Sequence, residues 1–171
     1  MLIPVFVSCP TSLNDEQEAI RRIVLGELGQ HGLEGRTIGT TDYPTTFPLR
    51  EVLTLARHCS GGVILGFRQF EINSGVWKPG TPNELRIRKR DTVAFPTPWN
   101  QLEAGVLFAL GAPLLIFRET GISGGVFDNG VTDLFVHPTP RTEIEYEDQK
   151  ALKAVFQKWT AEVKAYYYRD R

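Results

Sequence analysis

Val63-Ile64-Leu65-Gly66-Phe67 offers no polar side chain to either face of a strand, so a strand built from it has to be covered on both sides. Pro113-Leu114-Leu115-Ile116-Phe117 repeats the pattern, and Leu2 to Ser8 adds an apolar run rich in β-branched and aromatic residues. Strands buried this completely belong to parallel sheets held between two helical layers. The segments between the runs have helical spacing. Asn14 and Gln17 form a capping-box pattern ahead of Ala19, Ile20, Ile23, Val24 and Leu28, and Pro48 opens a second helix with Leu49, Val52, Leu53, Ala56 and Cys59. A less apolar strand is expected over Leu33 to Ile38 and a short last strand over Asp133 to Val136. Ala151, Leu152, Val155, Phe156, Trp159, Val163 and Tyr166 predict a closing amphipathic helix over residues 148–168.

This order predicts an α/β fold, a five-stranded parallel sheet in a flavodoxin-like, doubly wound three-layer sandwich, forming one domain over residues 1–171. Ligands of such sheets bind beyond the carboxyl ends of the strands, where the strand order reverses. That rule gathers the loops after Val7, Ile38, Gly66 and Phe117 around one crevice. Arg68 to Pro96 breaks the order with about thirty residues of no clear period, which reads as a functional or mobile insertion. It carries Arg68, Lys78, Arg86, Arg88, Lys89 and Arg90 against Glu71, Glu84 and Asp91. Arg68, with Arg118 beyond a later strand, could hold phosphate groups, and a merely solvated basic loop is the competing reading.

Several chemistries lack their motifs. The first strand is followed by neither a Gly-rich Lys-Ser/Thr phosphate loop nor Gly-x-Gly-x-x-Gly, and there is no nucleophile elbow. His31, His58 and His137 are scattered; the first two fall near helix C-termini, where they can stabilise the last turn. No metal site and no bound cofactor are expected. Cys9 and Cys59 make neither a disulfide framework nor a metal set and are read as reduced. With 19 basic against 20 acidic residues there is no global field for a polyanion, so nucleic acid is not an expected partner. Neither a signal-like amino terminus nor a membrane-length apolar run is present, which predicts a cytoplasmic protein without a membrane partner.

What remains is the stretch from Phe95 to Pro113. Thr97 can cap a helix, Pro98 suits its first position, and Gly111 with Pro113 closes it. Leu102, Val106, Ala109 and Leu110 share one face, expected to pack on the sheet, and Glu103 borders that face. Glu103 is therefore the candidate catalytic residue, with an ordinary solvated helix glutamate as the competing reading. A carboxylate suits reactions that pass through an oxocarbenium-like sugar cation, which it can stabilise or bond. Around it, Ser8 and Thr11 could contact a polar substituent, Asp42 and Asn100 orient a ribose or base, and Trp99 or Tyr43 stack on a ring. Trp99 could equally be a core aromatic.

Glu103-Ala104-Gly105 followed by Ala109-Leu110-Gly111-Ala112-Pro113 resembles the nucleoside 2-deoxyribosyltransferase-like superfamily, in which a helix before the fourth strand carries a catalytic Glu and ends in Ala-Leu-Gly-x-Pro. Thr97, Trp99 and Glu103 are also similar in spacing to Toll/interleukin-1 receptor (TIR) domains, whose NAD-cleaving members place a Glu four positions after a Trp. The resemblance spans about Ile3 to Val136 and implies a glutamate acting on an N-glycosidic bond. It also implies that the loop from Gly39 to Phe47 shapes a nucleotide pocket, and makes Asp42 the counterpart of the deoxyribosyltransferases' base-binding Asp. The insertion at residues 68–96 departs from both families.

The expected function is accordingly N-glycosidic cleavage or transfer on a nucleoside, nucleotide or NAD-like substrate, NAD entering as substrate rather than cofactor. The alternative is a non-catalytic module that binds a nucleotide signal or a partner through the same crevice. Tyr166-Tyr167-Tyr168 offers an aromatic contact for a homo-oligomer.

Overall fold

A computed structural model describes residues 2–39, 41–42, 47–88, 92–143 and 145–169. Tyr43, one of the expected ring-stacking residues, lies outside them. The chain runs β1 (Ile3–Ser8), α1 (Asp15–Gln30), β2 (Leu33–Arg36), α2 (Pro48–His58) and β3 (Gly62–Gly66). Four short strands follow, β4 (Phe70–Ile72), β5 (Gly75–Trp77), β6 (Leu85–Ile87) and β7 (Val93–Phe95). Then come α3 (Pro98–Ala109), β8 (Leu114–Arg118), a 3-10 turn (Gly125–Phe127), β9 (Val136–Pro138) and α4 (Tyr146–Arg169).

Five strands form an all-parallel sheet in the order β2-β1-β3-β8-β9, the doubly wound flavodoxin-like arrangement. Side chains alternate between its faces. Ile3, Val5 and Val7 of β1, with Val63 and Leu65 of β3, pack against Ile20, Val24 and Leu28 of α1 and Phe156, Trp159 and Val163 of α4. Phe6 and Ile64 point the other way, into a second cluster with Val52 and Ala56 of α2 and Ala104 and Leu107 of α3. The alternation that sends Phe6 toward α2 and α3 also sends Ser8 there.

Local signals hold the helices where their sequences place them. Asn14 and Gln17 form the capping box of α1, Thr97 accepts from the Asn100 amide at the start of α3, and Gly111 leaves α3 with a φ of 68°. His31 Nδ1 and His58 Nδ1 each lie within hydrogen-bonding distance of a carbonyl four residues earlier, as helix-end histidines do.

The structure corrects four expectations. The buried positions of α3 are Asn100, Ala104 and Leu107, while Leu102 and Ala109 are exposed and Val106 and Leu110 only partly covered. Ala104 and Leu107 seat the helix on the sheet: a Cβ on Gly62 would overlap Leu107. The last strand is Val136–Pro138, because Asp133 has a φ of 56°, outside any strand conformation. The insertion is ordered as two antiparallel pairs, β4 with β7 and β5 with β6, since Phe70, Ile72, Val93 and Phe95 alternate like strand residues in runs too short to read. Finally, Tyr167 is buried and Tyr166 donates to the Leu110 carbonyl, leaving only Tyr168 of the tyrosine triplet exposed.

Candidate active site

The strand order reverses between β1 and β3, so the carboxyl end of β1 lies at the switch point of the sheet. Ser8 ends β1 there, opposite Ile64 of β3, and is 1% exposed. The first turns of α3 lie over the same spot. Asn100, equally buried, donates from Nδ2 to Ser8 Oγ at 2.8 Å and to the Leu65 carbonyl at 3.4 Å. The Ser8 hydroxyl donates to Glu103 Oε2, and the Thr97 hydroxyl donates to Asn100 Oδ1 at 2.9 Å.

These bonds run in one direction, from Thr97 to Asn100 to Ser8 to Glu103. Each member uses its donor toward the next, and such a chain polarises cooperatively. It also fixes which oxygen of the carboxylate is spent. Among the described residues Oε2 accepts from Ser8 and no partner meets Oε1. The half-buried position pushes the Glu103 carboxyl up to about 7, against which the Ser8 bond pulls down. At neutral pH both protonation states are populated, which suits a group that must act as base, nucleophile or acid.

Cys9 follows Ser8, and burial pushes its thiol up to about 12, the Glu103 charge adding to the rise. A thiol held protonated is a poor nucleophile, which leaves the carboxyl as the candidate for chemistry at this spot. Trp99, four residues before Glu103 in α3, is 43% exposed, which removes the core-aromatic reading. Thr11 lies exposed on the loop after β1 and bonds to none of Ser8, Asn100 or Glu103.

Asp42 does not join this group. It is held by Arg36, Nε to Oδ2 at 2.9 Å with a second contact from Nη2, and by the Thr41 hydroxyl at 2.7 Å. The Arg36 guanidinium keeps its carboxyl below the ordinary range. The pair lines a separate cavity of about 420 Å³ beside α2, with Thr54, His58 and Cys59. Asp42, six residues past Arg36 at the end of β2, meets that cation, which spacing alone does not reveal.

Arg68 and Arg118 are also spent within the protein. Arg68 Nε donates to Glu119 Oε1 at 3.0 Å and Nη1 to Glu71 at 3.1 Å, while Arg118 Nη1 donates to the Phe127 carbonyl at 2.6 Å. Both arginines therefore have structural partners, and the phosphate role expected of them has no support in their geometry. A Cβ on Gly66 would overlap the Phe127 ring, so the turn that Arg118 clamps presses directly on β3.

Thr97, read from the sequence as a helix cap and as part of the TIR-like spacing, is also a member of this hydrogen-bonded chain. The same hydroxyl that accepts the Asn100 backbone amide donates to the Asn100 side chain, so one residue both starts the helix and orients its polar partner. Among the described residues no group of three or more His, Cys, Asp or Glu is placed to hold a metal ion, and no helix is long and apolar enough to cross a membrane. No protein-family model matches the chain, and no curated protein and no solved structure matches it.

Proposed function

We propose that this protein cleaves or transfers the N-glycosidic bond of a nucleoside, nucleotide or NAD-like molecule, with Glu103 at the reacting carbon. The observation that carries the proposal is the half-buried Glu103 carboxyl at the switch point, held on one oxygen by the chain from Thr97 through Asn100 and Ser8. In its ionised form the carboxylate bonds to the anomeric carbon while the carbon–nitrogen bond breaks. The electron pair leaves on the base, which takes a proton from water. Water or a second base then attacks the same carbon and frees Glu103. The exposed ring of Trp99 offers a stacking face for the departing base. With Arg68 and Arg118 bonded to protein groups, a substrate without phosphates, a nucleoside, fits better than a nucleotide.

Incubation with deoxynucleosides, nucleosides, nucleotides and NAD, read by chromatography of released base, tests the proposal. Base release is expected with at least one class and is expected to fall about a thousandfold or more in Glu103→Gln. Release that persists unchanged in that variant overturns the mechanism.

A second reading, a binding module that recognises a nucleotide without turnover, is favoured by one observation. Asp42 is engaged by Arg36, which leaves the neighbourhood of Glu103 with fewer groups to orient a sugar. Its signature is a melting temperature raised by one nucleotide with no product formed.

A further inference from the structure

The insertion between β3 and α3 forms an arm whose apolar side chains find too little cover. Phe70 pairs with Phe95 and Ile72 with Val93 on one side of the β4–β7 ribbon, and Trp77 pairs with Leu85 in the β5–β6 ribbon. The Trp77 ring stacks on Phe95 at 6.3 Å, which brings the distal ribbon back against the proximal one. Even so, Phe70 is 57% exposed and Leu85 64%. Two-stranded ribbons are marginally stable alone, and an open apolar face of this kind calls for a partner. The arm also carries Lys78, Arg86 and Arg88, exposed and without a carboxylate partner among the described residues.

The opposite combination occurs elsewhere on the surface. A cleft of about 1120 Å³ opens between β8, β9 and the first turns of α1 and α4; Glu16, Glu143, Glu145 and Asp148 line it against the single cation Arg141, while Arg68 and Glu119 at its edge pair with each other, which leaves it acidic in balance. None of these four carboxylates is in an ion pair among the described residues. Exposed aromatic side chains flank it in sequence and space. Phe135, 70% exposed, packs edge-on against His137 of the cleft wall, and Tyr146 lies exposed between Glu145 and Glu147. Apolar groups with cations on one surface thus match apolar groups with carboxylates on the other.

We propose that the arm of one copy docks into the acidic cleft of a second copy of this chain, with Lys78, Arg86 and Arg88 meeting Glu143, Glu145 and Asp148 around an apolar contact. The reciprocal contact closes a two-fold dimer. Opposite charges flanking apolar centres fix the register of such an interface and make it sensitive to salt.

Analytical ultracentrifugation of the full chain tests this, on wild type, on Arg86→Glu with Arg88→Glu, and on Glu145→Lys with Asp148→Lys. All four positions are exposed, so the variants keep the fold, as circular dichroism melting checks. Wild type is expected to dimerise, more weakly at high salt, and each double reversal to raise the dissociation constant by about a hundredfold or more. An equimolar mixture of the two variants is expected to restore a dimer, because each arm then faces a cleft of opposite charge. A wild type that stays monomeric, whether its arm lies free, closes on its own cleft or binds anionic vesicles, overturns the proposal. So does a dimer that both reversals leave intact.

Discussion

The Ser8 hydroxyl donates a hydrogen bond to Oε2 of Glu103, joining the carboxyl end of β1 to α3 across 95 positions of sequence. A hydroxyl aimed at a carboxylate favours its ionised form, while half-burial favours the neutral one. The balance leaves Glu103 at about 7. Ser8→Ala removes the first influence and keeps the second. The Glu103 titration, read as the ionisation limb of the pH–rate profile, is therefore expected to move to higher pH, with kcat at neutral pH reduced. A limb that stays in place would show that Ser8 does not set the ionisation.

Asn100 is the joint of the same chain, and its replacement separates geometry from charge. Asn100→Ala leaves the Ser8 and Thr97 groups and the Leu65 carbonyl without their buried partner, an expected loss of about 1–3 kcal/mol by denaturant unfolding. Asn100→Asp nearly keeps the shape and places a second carboxyl beside the site. Like charges oppose each other's ionisation, so the ionisation limb is expected to rise in pH further than in Ser8→Ala.

Much of the scaffold was legible because it rests on local or periodic signals. Val63 to Phe67 is apolar on both faces, and Gly62–Gly66 is the central strand; Asn14 with Gln17 reads as a cap, and does cap. The grouping of Glu103, Ser8 and Asn100 at one crevice was legible because the topology alone brings those positions together. What spacing does not reveal is a partner contributed by another segment: Arg36 holds Asp42, and Glu119 lies beside Arg68, and neither contact is readable from the local sequence. The face of α3 was misread for another reason: Leu102 and Val106 outweigh Ala104 in hydropathy, but the small Ala104 permits close approach to the sheet. Periodicity weighs hydrophobicity and is blind to fit.

That difference has a direct test. Leu107 is fully buried in α3 and Leu102 is 47% exposed on the same helix. Leu107→Ala is expected to cost about 2–5 kcal/mol, the range for deleting a buried leucine side chain. Leu102→Ala is expected to change stability by less than about 0.5 kcal/mol. Urea unfolding of the two variants distinguishes the faces, and equal losses would return Leu102 to the core.

Asp42→Asn tests the reassignment of that residue. The pair with Arg36 is partly exposed, so its loss is expected to cost at most about 1 kcal/mol. Because the Asp42 carboxyl is held below its ordinary range, the pair's contribution is fully present above the unfolded-state value, declines as the pH falls below it, and is gone once the pH has fallen through the lower value of the folded state. The expected result at neutral pH is a slightly less stable protein with base release close to wild type. A collapse of turnover with unchanged stability would put Asp42 back at the substrate.

The position of Glu103 also shapes how stability depends on pH. Its carboxyl lies near 4.5 in an unfolded chain and at about 7 in the fold, so between those values the native state holds a proton that the unfolded state has released. Stability then falls as pH rises through that window, by on the order of 3 kcal/mol in all. Glu103→Gln keeps an acceptor for Ser8 and cannot ionise, so it removes this slope. Below the window the two proteins are expected to melt together, and above it the variant is expected to melt several degrees higher. Thermal melts in matched buffers on either side of the window measure the difference. The variant gains stability in the pH range where its base-release activity is expected to be lost. That opposing change is expected of a carboxyl kept partly buried for chemistry at a cost in folding free energy. A wild type with no such slope would place Glu103 in water, where it neither strains the fold nor serves as the reactive carboxyl.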